Sequence, residues 1–293
     1  MVKQIKMKKF IVFIFLYLLS SNLIAEQIHI LYTNDLLCGK ENTQYKKLAY
    51  LTVLTDSLKN EYQNVVIVGN GNNFCGDSLL SRIISQTMNR IGYDVVMTGT
   101  KEFSNGLDEY LSALDNIDFP VVVSNLRFDI NHKNLHKIRE NLIIERDGVK
   151  LGFFGLLSPD FPHLTVTDKR YQFRFDYQNE AKEQIEKLQK DSVNIKIAIT
   201  QFDKKFNIEL AENVEGIDII LCGDPITRNQ GIRKIISPDS NITYIVWIDN
   251  NKYFGDLLID IEQKKIHKVE WQKIPLLDDI SDKIDILDLL KND

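Results

Sequence analysis

An α/β domain with one large core is expected from three features of this chain. Short β-branched runs alternate with amphipathic stretches almost from end to end. No internal repeat, low-complexity tract or Pro/Gly-rich linker interrupts the body. And 293 residues with 44% hydrophobic content are enough to bury a single extensive interior.

The first 25 residues stand apart from that pattern. Lys3, Lys6, Lys8 and Lys9 precede an apolar run from Phe10 to Leu19, followed by Ser20, Ser21, Asn22 and a cleavage position after Ala25. This is the order of an export signal, and the apolar run is too short to span a bilayer comfortably. Leu23, two places before Ala25, is bulkier than a signal peptidase normally accepts, so an uncleaved N-terminal anchor is the alternative reading of residues 1–25. The chain is therefore expected to be exported, to the periplasm or cell envelope, with secretion as a further option. Membrane contact is expected only if the segment stays uncleaved.

The domain is drawn over residues 26–275. Ile28–Tyr32 opens it as a strand, ended by Asn34-Asp35; Lys46–Lys59 has helical periodicity; Val65–Val68 is a continuous buried-type strand closed by Gly69. The alternation continues with a helix over Ser78–Ile91, a strand over Val95–Thr98, a helix over Leu107–Leu114 and strands over Val121–Ser124 and Leu151–Leu157. A helix over Asn179–Asp191, a strand over Lys196–Thr200, a helix over Phe206–Asn213 and strands over Ile217–Leu221, Thr243–Ile248 and Leu257–Ile261 complete it. Leu276 to Asn292 is an acidic amphipathic stretch, so residues 276–293 are expected to form a helical tail.

Charge and cysteine content narrow the function classes. The 36 basic and 41 acidic residues leave a net charge of -5, and the first 25 residues hold four of the lysines and no acid, so the rest of the chain is nine charges negative. A nucleic-acid partner is excluded on that balance. Cys38, Cys75 and Cys222 are an odd number for an oxidising compartment and have no zinc spacing.

In open α/β sheets, ligands bind beyond the carboxyl ends of the strands. The loops there read Thr33-Asn34-Asp35-Leu36-Leu37-Cys38-Gly39, then Gly71-Asn72-Asn73-Phe74-Cys75-Gly76, then Gly99-Thr100-Lys101-Glu102-Phe103, and later Thr200-Gln201 and Cys222-Gly223-Asp224-Pro225-Ile226. With Met88 to Asp94, Phe119-Pro120, Ser124-Asn125, Gly152 to Gly155 and Gly216-Ile217-Asp218 between them, this order resembles the 5′-nucleotidase branch of the calcineurin-like metallophosphoesterases.

The resemblance implies a two-sheet sandwich flanked by helices (αββα). It also implies two divalent cations held by an Asp-x-His pair, a bridging Asp after Gly, an Asn-His pair whose His is the general acid, and three more histidines, since such donors bind metals that activate a bridging water. At those positions this chain has Asp35, Leu37, Asn72, Thr100, Lys101, Gln201, Asp224 and Ile226. These are expected to be vestigial, with no catalytic residue and no metal cofactor. A protonated amine roughly 6 Å from a divalent ion is opposed by about 5 kcal/mol at an effective dielectric near 20. Lys101 is accordingly expected to pair with Asp35 or Asp224 in place of the cations. Full-length 5′-nucleotidases continue into a second domain, which this chain, ending at Asp293, is expected to lack.

Other readings of the same residues stay open. Asp35 is a relic ligand or a turn residue capping a strand end, and Lys101 is an ion-pair partner or an anion contact. Cys38 and Cys75 form a disulfide or are buried thiols. Asn72 and Asp224-Pro225 read as structural, and the Gly69-Asn70-Gly71 turn lacks dinucleotide or P-loop spacing. His132 and His136 have the i, i+4 spacing of a helical metal pair but no third ligand, so exposure is expected.

The function expected is that of an exported, catalytically inactive relative that binds a protein or a small anionic ligand or serves a structural role. The alternatives are a phosphoric ester hydrolase with weak or altered metal dependence, through Asp35, Asp224 and a cysteine, and nucleotide or phosphate binding without turnover.

Overall fold

A computed structural model describes residues 26–35, 43–73, 78–223, 231–248 and 253–276. The N-terminal signal or anchor, residues 277–293 of the tail, and Leu37, Cys38, Cys75, Asp224 and Ile226 lie outside the described residues.

The chain builds two sheets and a small ribbon. The larger sheet contains β1 (Glu26–Thr33), β2 (Val65–Gly69), β3 (Val95–Met97), β4 (Val121–Val122), β6 (Ile138–Arg139), β14 (Tyr253–Glu262) and β15 (Lys265–Pro275). Its order is β15-β14-β1-β2-β3-β4-β6, parallel from β1 through β6 and antiparallel where β14 joins β1 and β15. The second sheet contains β7 (Asn141–Arg146), β8 (Val149–Leu156), β10 (Ile195–Thr200), β11 (Ile219–Cys222), β12 (Gly231–Ile236) and β13 (Ile242–Trp247), in the order β12-β13-β11-β10-β8-β7. Strands β5 (Leu126–Phe128) and β9 (Tyr171–Phe173) form the ribbon.

The helices are α1 (Thr43–Glu61), α2 (Ser78–Ile91), α3 (Leu107–Ala113), the single turn α4 (Phe161–Leu164), α5 (Tyr177–Lys190) and α6 (Lys204–Asn213). Two cores result. One joins the facing sides of both sheets, with Ile28, Ile30, Phe153, Ile197, Ile199 and Leu221, and continues to Leu51, Ile84 and Leu111 of the helices over the larger sheet. The other lies beneath α5 and α6, where Ala181, Ile185, Leu188 and Leu210 meet Phe154, Ala198 and Ile220. Helix, sheet, sheet, helix is the layering expected from the loop motifs, because each sheet buries both faces.

The sheets approach closely at β4 and β8. A Cβ on Gly155 would stand 2.6 Å from the Val122 carbonyl oxygen, so only glycine fits, and Ser124 N donates to Gly155 O at 2.7 Å.

Every strand and helix expected from the sequence is present, with shifted ends. The fifth helix starts at Tyr177 rather than Asn179 because the Asp176 side chain accepts from Asn179 N at 3.0 Å; the sixth starts at Lys204 because Asp203 accepts from Phe206 N at 3.0 Å. Six strands were not anticipated: β5, β6, β7, β9, β12 and β15. The β7–β8 hairpin turns through Asp147 and Gly148, with φ of 50° and 76°, the left-handed pair of a tight hairpin. The β14–β15 hairpin turns through Gln263 and Lys264, also left-handed at 50° and 63°.

Candidate functional site at the strand ends

The carboxyl ends of β1, β2 and β3 meet those of β10 and β11 from the second sheet. Beyond β1, Asp35 has φ 49° and is 5% exposed; beyond β2, Asn72 has φ 59° and is 3% exposed. Short polar side chains tolerate this left-handed backbone better than branched ones do.

Lys101 begins a 3-10 turn (Lys101–Phe103) after β3, and its Nζ lies 2.7 Å from Asp35 Oδ1. The pair is asymmetric, since the Lys101 side chain is 44% exposed while that of Asp35 is 7% exposed. Burial pushes the Asp35 carboxyl above its ordinary range; hydrogen bonds from Lys101 and the Asn72 side chain, together with the Lys101 charge, oppose that rise.

Asn72 is the hub of the site. Its Nδ2 donates to Gln201 Oε1 at 3.0 Å and its Oδ1 accepts from Lys101 N at 3.0 Å. Gln201 Nε2 donates to Asn70 O, so this one side chain from the second sheet ties down the turn after β2. Thr100 stands half-buried beside them, its carbonyl accepting from Phe103 N at 3.2 Å. Asp35, Asn72, Thr100, Lys101 and Gln201 therefore gather in one place.

Glu102 was quoted in the loop motif but given no role. Its buried carboxylate accepts from Asn72 N at 3.0 Å, Asn73 N at 2.6 Å and Gly99 N at 3.0 Å, fastening the β2 and β3 loops together. The approach is so close that a Cβ on Gly99 would lie 2.4 Å from Asn72 Oδ1. A carboxylate that holds backbone donors leaves no trace in spacing or periodicity.

The histidine pair does not share a helix. Only a 3-10 turn, Leu135–Lys137, forms there; His132 Nδ1 accepts from Asn134 N at 3.2 Å, and the exposed His136 meets Lys133 O at 2.6 Å. Cys222 is a fully buried thiol at the end of β11.

Comparison with known proteins places this arrangement. No family model matches the chain. It is 23% identical over 275 residues to the 5′-nucleotidase of Mus musculus, covering 82% of this chain and 47% of that protein. The NAD nucleotidase NadN of Haemophilus influenzae superposes with a TM-score of 0.75 at 19% identity, over 86% of this chain and 50% of that one. The calcineurin-like phosphoesterase YfkN of Bacillus subtilis superposes with a TM-score of 0.66 at 20% identity, over 86% of this chain and 92% of that one. The chain carries a metallophosphoesterase domain of the 5′-nucleotidase branch. It spans less than half the length of the curated relatives it matches first.

A metallophosphoesterase of this branch implies two divalent cations at these strand ends, and the described side chains do not fit them. Asp35 is the one carboxylate among the five gathered residues, and it is engaged by an ammonium; Asn72 and Gln201 offer neutral amides bonded to each other. Among the described residues no three His, Cys, Asp or Glu side chains converge to hold a metal ion.

Proposed function

We propose that this metallophosphoesterase domain belongs to an exported, non-catalytic relative of the 5′-nucleotidases, working as a binding or structural module. The observation that carries this reading is the Lys101–Asp35 ion pair. A divalent ion at Asp35 would share its carboxylate with an ammonium 2.7 Å away, and the repulsion would erase several decades of affinity. Amide hydrogen bonds and that ion pair supply internally the cohesion that cations supply in a metal centre. The partner class proposed is a protein or a small anionic ligand, and no metal cofactor is proposed. Export is supported by the lysine-rich start followed by a short apolar run; among the described residues no helix is long and apolar enough to cross a membrane.

The test is elemental analysis of the chain purified without chelator, with phosphatase assays across several divalent ions. Sub-stoichiometric metal and background turnover are expected. Stoichiometric manganese, zinc or iron with chelator-sensitive hydrolysis would overturn the reading in favour of a metal-dependent phosphoric ester hydrolase.

A further inference from the structure

We infer that a cavity of about 610 Å³ on the helix-side face of β1, β14 and β15 binds an organic cation bearing amine or guanidinium N–H groups. Its volume lies in the range of small-molecule sites. It is remote from the strand-end loops: His29 precedes Asp35 by six residues, roughly 20 Å along an extended strand.

His29 is the centre of the cavity wall. The residue is 8% exposed, its ring is stacked on Tyr62 at 3.6 Å and 3°, and its Nδ1 lies 2.9 Å from Oδ1 of Asp256, which is 1% exposed. The second Asp256 oxygen accepts from Gln272 Nε2 at 2.8 Å, and Gln27 Nε2 donates to Asp260 Oδ1 at 2.9 Å.

These bonds fix what the wall presents. A carboxylate only accepts, so His29 Nδ1 carries the hydrogen and Nε2 keeps a lone pair. The His29 ring makes no other hydrogen bond among the described residues. Both glutamines likewise spend their N–H groups on aspartates and leave their oxygens as acceptors. The donors of the wall are committed and its acceptors remain.

Charge points the same way. Asp256, Asp260 and Glu270 surround the site against one ammonium, Lys268, which pairs with Glu270. An anion would meet acceptors and net negative charge. A metal ion would find no converging set of three ligating side chains among the described residues. A planar or compact cation with several N–H groups satisfies both the acceptors and the charge.

The experiment is calorimetric titration of the full chain with agmatine, which carries one guanidinium and one amine, with inorganic phosphate and zinc in parallel. Saturable binding of agmatine at one site is expected, weakened about ten-fold in His29→Phe, which keeps the stacked ring and removes the acceptor. Glu270→Gln, a change on the exposed rim, is expected to weaken it several-fold and carries the test if His29→Phe fails to fold. Absence of saturable agmatine binding, equal affinity in the wild type and these variants, or saturable zinc binding lost in His29→Phe in place of agmatine binding would each overturn the assignment.

Discussion

Lys101 Nζ and Asp35 Oδ1 stand 2.7 Å apart, joining the turn after β3 to the loop after β1 across the intervening β2. The carboxylate is buried and the ammonium reaches solvent, so the lysine is what makes an ionised Asp35 tolerable there.

Lys101→Ala is expected to cost about 1–2 kcal/mol at neutral pH, below the full value for a buried pair because the lysine is half-exposed. The Asp35 carboxyl is already raised by burial, and losing the lysine raises it further. A carboxyl with a raised folded-state pKa binds its proton more tightly when folded, so its contribution to stability is greatest below the unfolded value and is lost as pH rises through the folded value. The Lys101→Ala deficit should therefore shrink toward pH 4. Urea unfolding of both proteins between pH 4 and 8 checks this, and a double-mutant cycle with Asp35→Asn should give a coupling near 1 kcal/mol at pH 7.

Glu102→Ala strands three buried backbone N–H groups and is expected to cost about 3–5 kcal/mol. Glu102→Gln keeps one carbonyl oxygen but points an amide N–H at donors, so about 1–2 kcal/mol is expected. Thermal melts of the two variants should fall in that order. Equal melting temperatures would remove Glu102 from its place as the fastening between the two loops.

Restoring one ligand should leave phosphatase activity at background. Lys101→His returns an imidazole but leaves Asn72 and Gln201 as amides, and groups that act as a unit do not recover singly. Turnover assays with manganese and zinc, beside the wild type, are the measurement.

Gln263→Asn with Lys264→Gly should stabilise the protein by about 1 kcal/mol. Both residues hold left-handed backbone in the β14–β15 turn, a conformation that asparagine and glycine adopt at less cost. The midpoint of urea unfolding should rise without a change in slope.

Cys222 should react with an aromatic disulfide reagent only on unfolding. It is 0% exposed, and its sulfur sits 3.9 Å from the Ile220 carbonyl within the core beneath α6. Labelling in native buffer followed by mass spectrometry of the peptide containing Cys222 measures it.

Much of the fold was legible because buried parallel strands are nearly continuous runs of Val and Ile, as in Val65–Val68 and Ile195–Ile199. Strands that escaped notice are short, like β6, or lie partly exposed at an edge, like β15, whose lysines and glutamate interrupt the apolar signal. β7 was overlooked although the Asp147-Gly148 pair that follows is a strong hairpin marker. At the strand ends, the loop motifs pointed to Asp35, Asn72, Lys101 and Gln201. The roles of Glu102 and Asn70 were not legible, because they act through backbone groups whose proximity only the folded chain creates. His29 reads as an ordinary residue of an apolar strand, and its partner Asp256 lies 227 positions away.

The edges of the two sheets bear on how this protein behaves in a crowded compartment. β15 ends the larger sheet and β12 ends the second, each with a backbone flank outside the sheet pairings of the described residues. Lys265, Lys268 and Lys273 stud the first, and Arg233 and Lys234 the second. Stacking a second copy against either flank would bring these cations together, so both borders discourage self-templated fibre growth and favour a dispersed molecule.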